Sequence, residues 1–328
     1  LSDALKTSFV SSSQISPRHL MAVIAGALCI AFAPIFAVLS VRVGGVGLWD
    51  AAFWRVFLGA VALGLLLAWQ RAPFFGNQGI KADRGRFFGW LWVPGVIFAL
   101  DFWAWHWSFE HTSVANSTLL ANTAILIVTL FAWLVWKEKL SPRFVLGALL
   151  AFGGVAMLML SSARRVPPTE GNPVFGDLLA LLTAVFYASY QLTMKHYRRW
   201  RSAPVLMFWA SLLAAVFLFP LAWGHPDAFW PENGLRGWLP LIGIGVLSHA
   251  CGQGLIAYGL AGVPASLASV VLLVQPVSTA VLGLVILGQP LVPWQIVGGA
   301  AVVGGLFLAI RGQVELARRD RAARGAGR

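Results

Sequence analysis

One carboxylate, Asp101, stands in the run 87–109, which reads FFGWLWVPGVIFALDFWAWHWSF and contains no lysine, arginine or other acid. Phe98, Phe102 and Trp105 share its helical face, because residues three and four apart are neighbours on a helix. A carboxylate in such surroundings can hold an ammonium group, carry a proton, or pair with a cation on another helix. A second run offers His249, Gly252, Gln253 and Ile256 at the same spacings. Tyr187, Tyr190, Gln191 and Met194 form a third stripe. Asn122 and the step Gln275-Pro276 add amides to two further apolar runs, and Pro276 interrupts the local hydrogen-bond ladder. A zwitterionic ligand needs an acceptor for its ammonium and donors for its carboxylate. Asp101 suits the first task, and Gln253 or His249 the second. The structural alternative pairs Asp101 with His249 or Arg55 and merely ties two helices together. Tyrosines near a span end also serve as interfacial anchors, and Tyr187 lies deeper than Tyr190.

The elements that carry these residues follow from composition. Of 328 residues 59% are hydrophobic and only 11% charged, against about 25% charged in soluble domains. Such a surface is wetted only if lipid covers most of it, so the chain is an integral membrane protein. A helix rises about 1.5 Å per residue and must cross about 30 Å of hydrocarbon. Apolar runs of that length predict ten spans, at 20–40, 48–69, 88–109, 113–136, 143–160, 174–194, 204–223, 237–260, 265–287 and 293–310. Asp101 then falls near mid-depth, where it should face a wet cavity or a partner, unless a small depth error puts it among headgroups. Arg55 lies close to Trp49 and Asp50 and is expected to snorkel to the interface.

With the N-terminus cytoplasmic, nineteen Lys and Arg fall on that side and four on the other. That bias places both termini in the cytoplasm of a bacterial inner membrane. It also accounts for the net charge of +12 without any nucleic-acid partner. The expected order is a polar cytoplasmic segment 1–19, five spans over 20–160, a periplasmic linker 161–173, five spans over 174–310, and a basic cytoplasmic tail 311–328. No convincing secretory cleavage site precedes the first span. Cys29 and Cys251 both lie inside spans and imply neither a disulfide framework nor a zinc site.

The halves resemble each other at an offset of 151: Leu140-Ser141-Pro142 matches Leu291-Val292-Pro293, Gly147 matches Gly298, and Gly153-Gly154 matches Gly304-Gly305. Five spans per copy is an odd number, so the second copy sits upside down relative to the first. Inverted repeats let a shared site open to either side, which supports transport. The fold class is therefore all-α integral membrane, ten transmembrane helices in two inverted five-helix repeats. Stripes such as Gly147, Ala151, Gly154 and Gly298, Val302, Gly305 are read as close helix contacts.

These features resemble the drug/metabolite transporter superfamily, in its EamA-type branch. In each half a small-residue helix runs into a short polar turn and a Gly-rich helix. Residues 112–115 lead to the turn Trp136-Lys137-Glu138-Lys139-Leu140-Ser141, and residues 263–266 lead to Leu287-Gly288-Gln289-Pro290-Leu291. Glu138 fits the family's acidic turn, while Gln289 stands where the family usually has Glu. Gln275-Pro276 also fits, since the family often has a polar residue before that proline. Within the superfamily the tryptophan-rich, acid-poor interior is most similar to amino-acid exporters. The resemblance implies outward movement of amino acids, aromatic ones included, by alternating access.

An enzyme would need a constellation such as HExxH, GxSxG or clustered acids, and the sequence holds none. No catalytic residue, metal or cofactor is expected; the partners are a small-molecule substrate and the bilayer, compatible with a monomer. Two other cargoes stay open. A lipophilic cation would use a buried acid in an aromatic cage. A nucleotide sugar or sugar phosphate would need basic residues in the cavity, where only Arg55 is available.

Overall fold

The computed structural model describes residues 15–74, 84–163, 171–225 and 227–325, without the side chains of 84–91, 161–163 and 324–325. The polar start of the chain, Lys81, Arg164, Arg165 and the final residues lie outside the described residues. Among the described residues nine helical stretches are long and apolar enough to cross a membrane. They are Pro17–Gly44, Leu48–Trp69, Val114–Leu134, Pro142–Leu160, Pro173–Tyr197, Ala203–Trp223, Leu235–Gly259, Ala265–Leu287 and Pro293–Ala323. The 26-residue helix Arg84–Phe109 stands where the third span was expected, outside that count. Leu65, Leu149, Val285 and Phe307 are exposed on the outside of the bundle, as a lipid-facing surface requires.

In chain order the first stretch is broken into α1 (Pro17–Ile30) and α2 (Ala33–Gly44), with Pro34 in the first turn of α2. The break leaves the Ala31 carbonyl to accept a hydrogen bond from Thr279 Oγ1 at 2.9 Å. Then come α3 (Leu48–Trp69), α4 (Arg84–Phe109), α5 (Val114–Ala121), α6 (Ala124–Leu134) and α7 (Pro142–Ala163). The second half holds α8 (Pro173–Tyr197), α9 (Ala203–Trp223), α10 (Leu235–Ile242), a π-helical stretch Gly243–Gln253, and α11 (Gly254–Gly259). It closes with α12 (Ala265–Val271), α13 (Val274–Leu287) and α14 (Pro293–Gly325). Residues 311–325, expected as a separate tail, continue α14 as helix. Pro94 lies inside α4 without breaking it.

The 151-residue offset recurs in the backbone. Ser113 and Pro264 both precede their helices in extended conformation, at φ −64°, ψ 144° and φ −52°, ψ 142°. Lys137 and Gly288 both turn left-handed, at φ 53° and 67°. The following amides close the same ring, Glu138 N to Ala132 O at 2.9 Å and Gln289 N to Gly283 O at 3.1 Å. Both intervening spans break within one residue of the same place in this register, after Ala121 and after Val271. Gln275 N donates to the Leu272 carbonyl at 3.0 Å, so the carbonyl that Pro276 cannot reach is engaged at the helix break.

The contact of α7 with α14 shows how the copies are oriented. Gly147 lies against the Gly305 backbone, and Gly154 against that of Gly298. Adding 151 turns 147 into 298 and 154 into 305, so each contact is the image of the other. Numbers rise along α7 as they fall along α14, so matching helices run antiparallel and the two copies are inverted. A Cβ on Gly298 would sit 2.7 Å from the Gly154 carbonyl oxygen, whereas Gly153 and Gly304 face open space. Gly298→Leu is expected to melt lower by about 1–3 kcal/mol, the usual range for overpacking. Gly304→Leu should match or exceed wild type, since glycine is a poor helix former. Thermal melts of the detergent-solubilised variants check this, and equal behaviour of the two would refute the contact.

Candidate functional site

Arg55 sits two turns into α3, and its helical neighbours Ala51, Ala52 and Gly59 are small. That leaves room for a large side chain on the inward face, and Arg55 is only 7% exposed. It does not snorkel, contrary to the sequence expectation, because the face it occupies is turned into the bundle rather than toward headgroups. Its guanidinium carbon lies 5.0 Å from the centre of the Phe102 ring on α4. Asp101, the next residue to that ring, is 8% exposed. Yet none of the ion pairs among the described residues involves either, and Arg55 Nε and Asp101 Oδ1 have no hydrogen-bond partner.

Asp101 and Phe102 thus meet Arg55 in the interior. Tyr187 is half-buried and its hydroxyl is within hydrogen-bonding reach of the Gln253 side chain. The π-helical stretch separates the two polar residues of its own element. Gln253 reaches α8, while His249 reaches α9, where its Nε2 meets Ser211 Oγ at 2.8 Å. His249 is fully buried, packed on Gly59 and stacked on Phe98 at 5.6 Å, with Nδ1 unpartnered. Neither His249 nor Arg55 forms the ion pair with Asp101 that the structural alternative required.

The remaining candidates fall around this centre or away from it. Tyr190 is a core residue: its ring stacks on Phe98 at 4.3 Å and its hydroxyl meets Met207 Sδ at 3.0 Å. Gln191 is buried with Oε1 unpartnered. Trp105 is half-buried, its indole N–H unpartnered and its ring edge-on to His106 at 5.4 Å. Asn122 turns back on its own helix, donating to the Thr118 carbonyl at 2.8 Å and capping α5. Gln275 stands in the first turn of α13, its amide nitrogen buried without a partner, and no hydrogen bond ties it to Asp101 or Tyr187. Asn122 and Gln275 thus belong to the two matching helix breaks.

A latch that the sequence showed only as a family turn ties the two repeats together. Glu138 is buried, and its Oε1 accepts from Ala265 N at 2.9 Å. Its Oε2 accepts from Ser266 N at 3.2 Å and Ser266 Oγ at 2.7 Å. The first amides of a helix need acceptors and favour negative charge. Pro264, in the N-cap position of α12, has no side-chain acceptor, so Glu138 supplies the cap from the other repeat. Just upstream, buried Lys195 donates to the Leu260 carbonyl at 3.3 Å and to that of Val263. Arg198 Nε donates to the Ala257 carbonyl at 2.9 Å. The equivalent site at the other end is differently built. Ser113 caps α5 itself by accepting from Asn116 N at 3.1 Å, and Gln289 is exposed.

Comparison with known proteins places this architecture. The EamA-like transporter family matches residues 18–160 and again 174–311. The uncharacterized transporter YetK of Bacillus subtilis (strain 168) is 25% identical over 61% of this chain and 61% of its own. The uncharacterized transporter YwfM of the same organism is 28% identical, over 61% and 65%. The pseudopaline exporter CntI of Pseudomonas aeruginosa is 26% identical, over 61% and 64%. The chain thus spans somewhat under two thirds of the length of these relatives. A solved crystal structure superposes with a TM-score of 0.76 over 92% of this chain and 98% of its own at 17% identity, which shows the shared fold. With both halves matched and the inverted duplication visible in the backbone, this multi-pass membrane protein belongs to the EamA-like transporter family.

Proposed function

We propose that the protein exports amino acids with partly apolar side chains, aromatic ones included, or closely related small metabolites, by alternating access through a central site. The observation that carries this reading is Asp101: a carboxylate buried among aromatic rings, its Oδ1 unpartnered, at the junction of α3, α4 and α8. An intramembrane acid without a structural partner is a functional site by default, because burying it has no other return. Trp105, Tyr187 and Gln253 line the approach, with Gln191 and His249 behind them; Asn122, Gln275 and Tyr190 act through helix shape and support. A relative named as an exporter agrees with outward movement. The charge asymmetry supports a bacterial inner-membrane location with both termini cytoplasmic, and α4 serves as a tenth span.

A lipophilic-cation cargo is disfavoured by Arg55, whose charge would repel it in the same chamber. A phosphate cargo is disfavoured by Asp101 for the opposite reason. Efflux of a labelled amino-acid panel from liposomes holding the purified protein, with and without a pH gradient, tests the proposal. Saturable efflux of several apolar amino acids and none of a quaternary ammonium dye is the expected result. Dye efflux without amino-acid efflux would overturn it.

A further inference from the structure

We infer that Arg55 is the carboxylate anchor of the central site, holding the carboxylate of a substrate whose ammonium group rests on Asp101. This rests on the amino-acid reading above and narrows it to substrates with a free carboxylate. Both side chains are more than nine-tenths buried, at 7% and 8% exposure. They carry opposite charges, and each has an unpartnered polar atom, Nε on one and Oδ1 on the other. Arg55 lies over the ring of Phe102, the residue next to Asp101, and leaving two buried groups of opposite charge unpaired there is a costly arrangement. A ligand bearing both charges satisfies the two together, and neither an amine nor an anion alone can do so.

Two other polar groups of this region are engaged elsewhere. His249 Nε2 is engaged by Ser211, and Tyr190 by Met207. Arg55 is also held in place, its guanidinium resting over Phe102, so the fork is set before the ligand arrives. A planar fork of fixed direction is the donor geometry that a carboxylate fits best.

The test uses purified protein in liposomes and the block of labelled amino-acid efflux by phenylalanine, leucine and threonine, each beside its own amide. Wild type should prefer each acid over its amide by roughly 10- to 100-fold, the range of one charge-assisted hydrogen bond. Arg55→Gln should erase that preference while still responding to the amides. Arg55→Lys, which keeps the charge and loses the fork, should fall between. Wild type that moves amino acids but is blocked equally by acids and amides overturns the anchor and leaves the amino-acid reading standing. Wild type that moves no amino acid removes both. Should neither variant reach the membrane, the wild-type acid-to-amide ratio decides alone: preference for the acid supports the anchor, and equality overturns it.

Discussion

Asp101→Asn is expected to stop amino-acid efflux, by about 10- to 100-fold or more, while the protein remains folded. The size follows from losing a hydrogen bond between two charged groups, about 1.5–3 kcal/mol. Folding should survive because Asp101 forms none of the ion pairs among the described residues and its Oδ1 has no hydrogen bond. Removing a buried charge that nothing neutralises leaves stability unchanged or raises it. A transport assay beside a thermal melt separates the two effects. Normal efflux from the asparagine variant would end the case for a substrate contact at Asp101. A lower melting point with normal efflux would assign it to structure instead.

Glu138→Ala should have the second largest effect, on stability. It strips α12 of the acceptors for Ala265 N, Ser266 N and Ser266 Oγ. At about 1.5–3 kcal/mol for each hydrogen bond to a charged group, even partial compensation by water leaves a measurable loss. A second change distinguishes capping from bridging. Pro264→Ser in the Glu138→Ala background gives α12 a cap of its own, as Ser113 gives α5, worth about 1 kcal/mol. The remainder of the deficit measures the tie between repeats. If Glu138→Ala melts with wild type, the latch contributes nothing. If Pro264→Ser restores everything, Glu138 is only a cap.

Much of this is legible in the sequence. The spans follow from apolar runs, and the duplication from one offset shared by a turn and several glycines. Asp101 stood out because nothing else in its run is charged. The other features depend on contacts that no local pattern encodes. Arg55 looked shallow because Trp49 and Asp50 lie near it in sequence, yet the small residues Ala51, Ala52 and Gly59 turn its face inward. The break in α5–α6 has no proline, so periodicity runs straight through Asn122 and Thr123. The π-helical stretch shifts the register of His249 against Gln253, and a spacing of 3.6 could not foresee their divergence. Glu138 and α12 are 127 residues apart, and their pairing exists only after both repeats assemble.

The reciprocal glycine contact between α7 and α14 has a mechanical corollary. A junction that maps onto itself when the repeats trade places looks the same whichever repeat holds which shape. Under the proposed alternating access it would serve as the fulcrum, bearing load without being remade in each cycle. A bulky side chain there would jam both strokes equally, whereas one at the Glu138 latch would favour a single direction of opening.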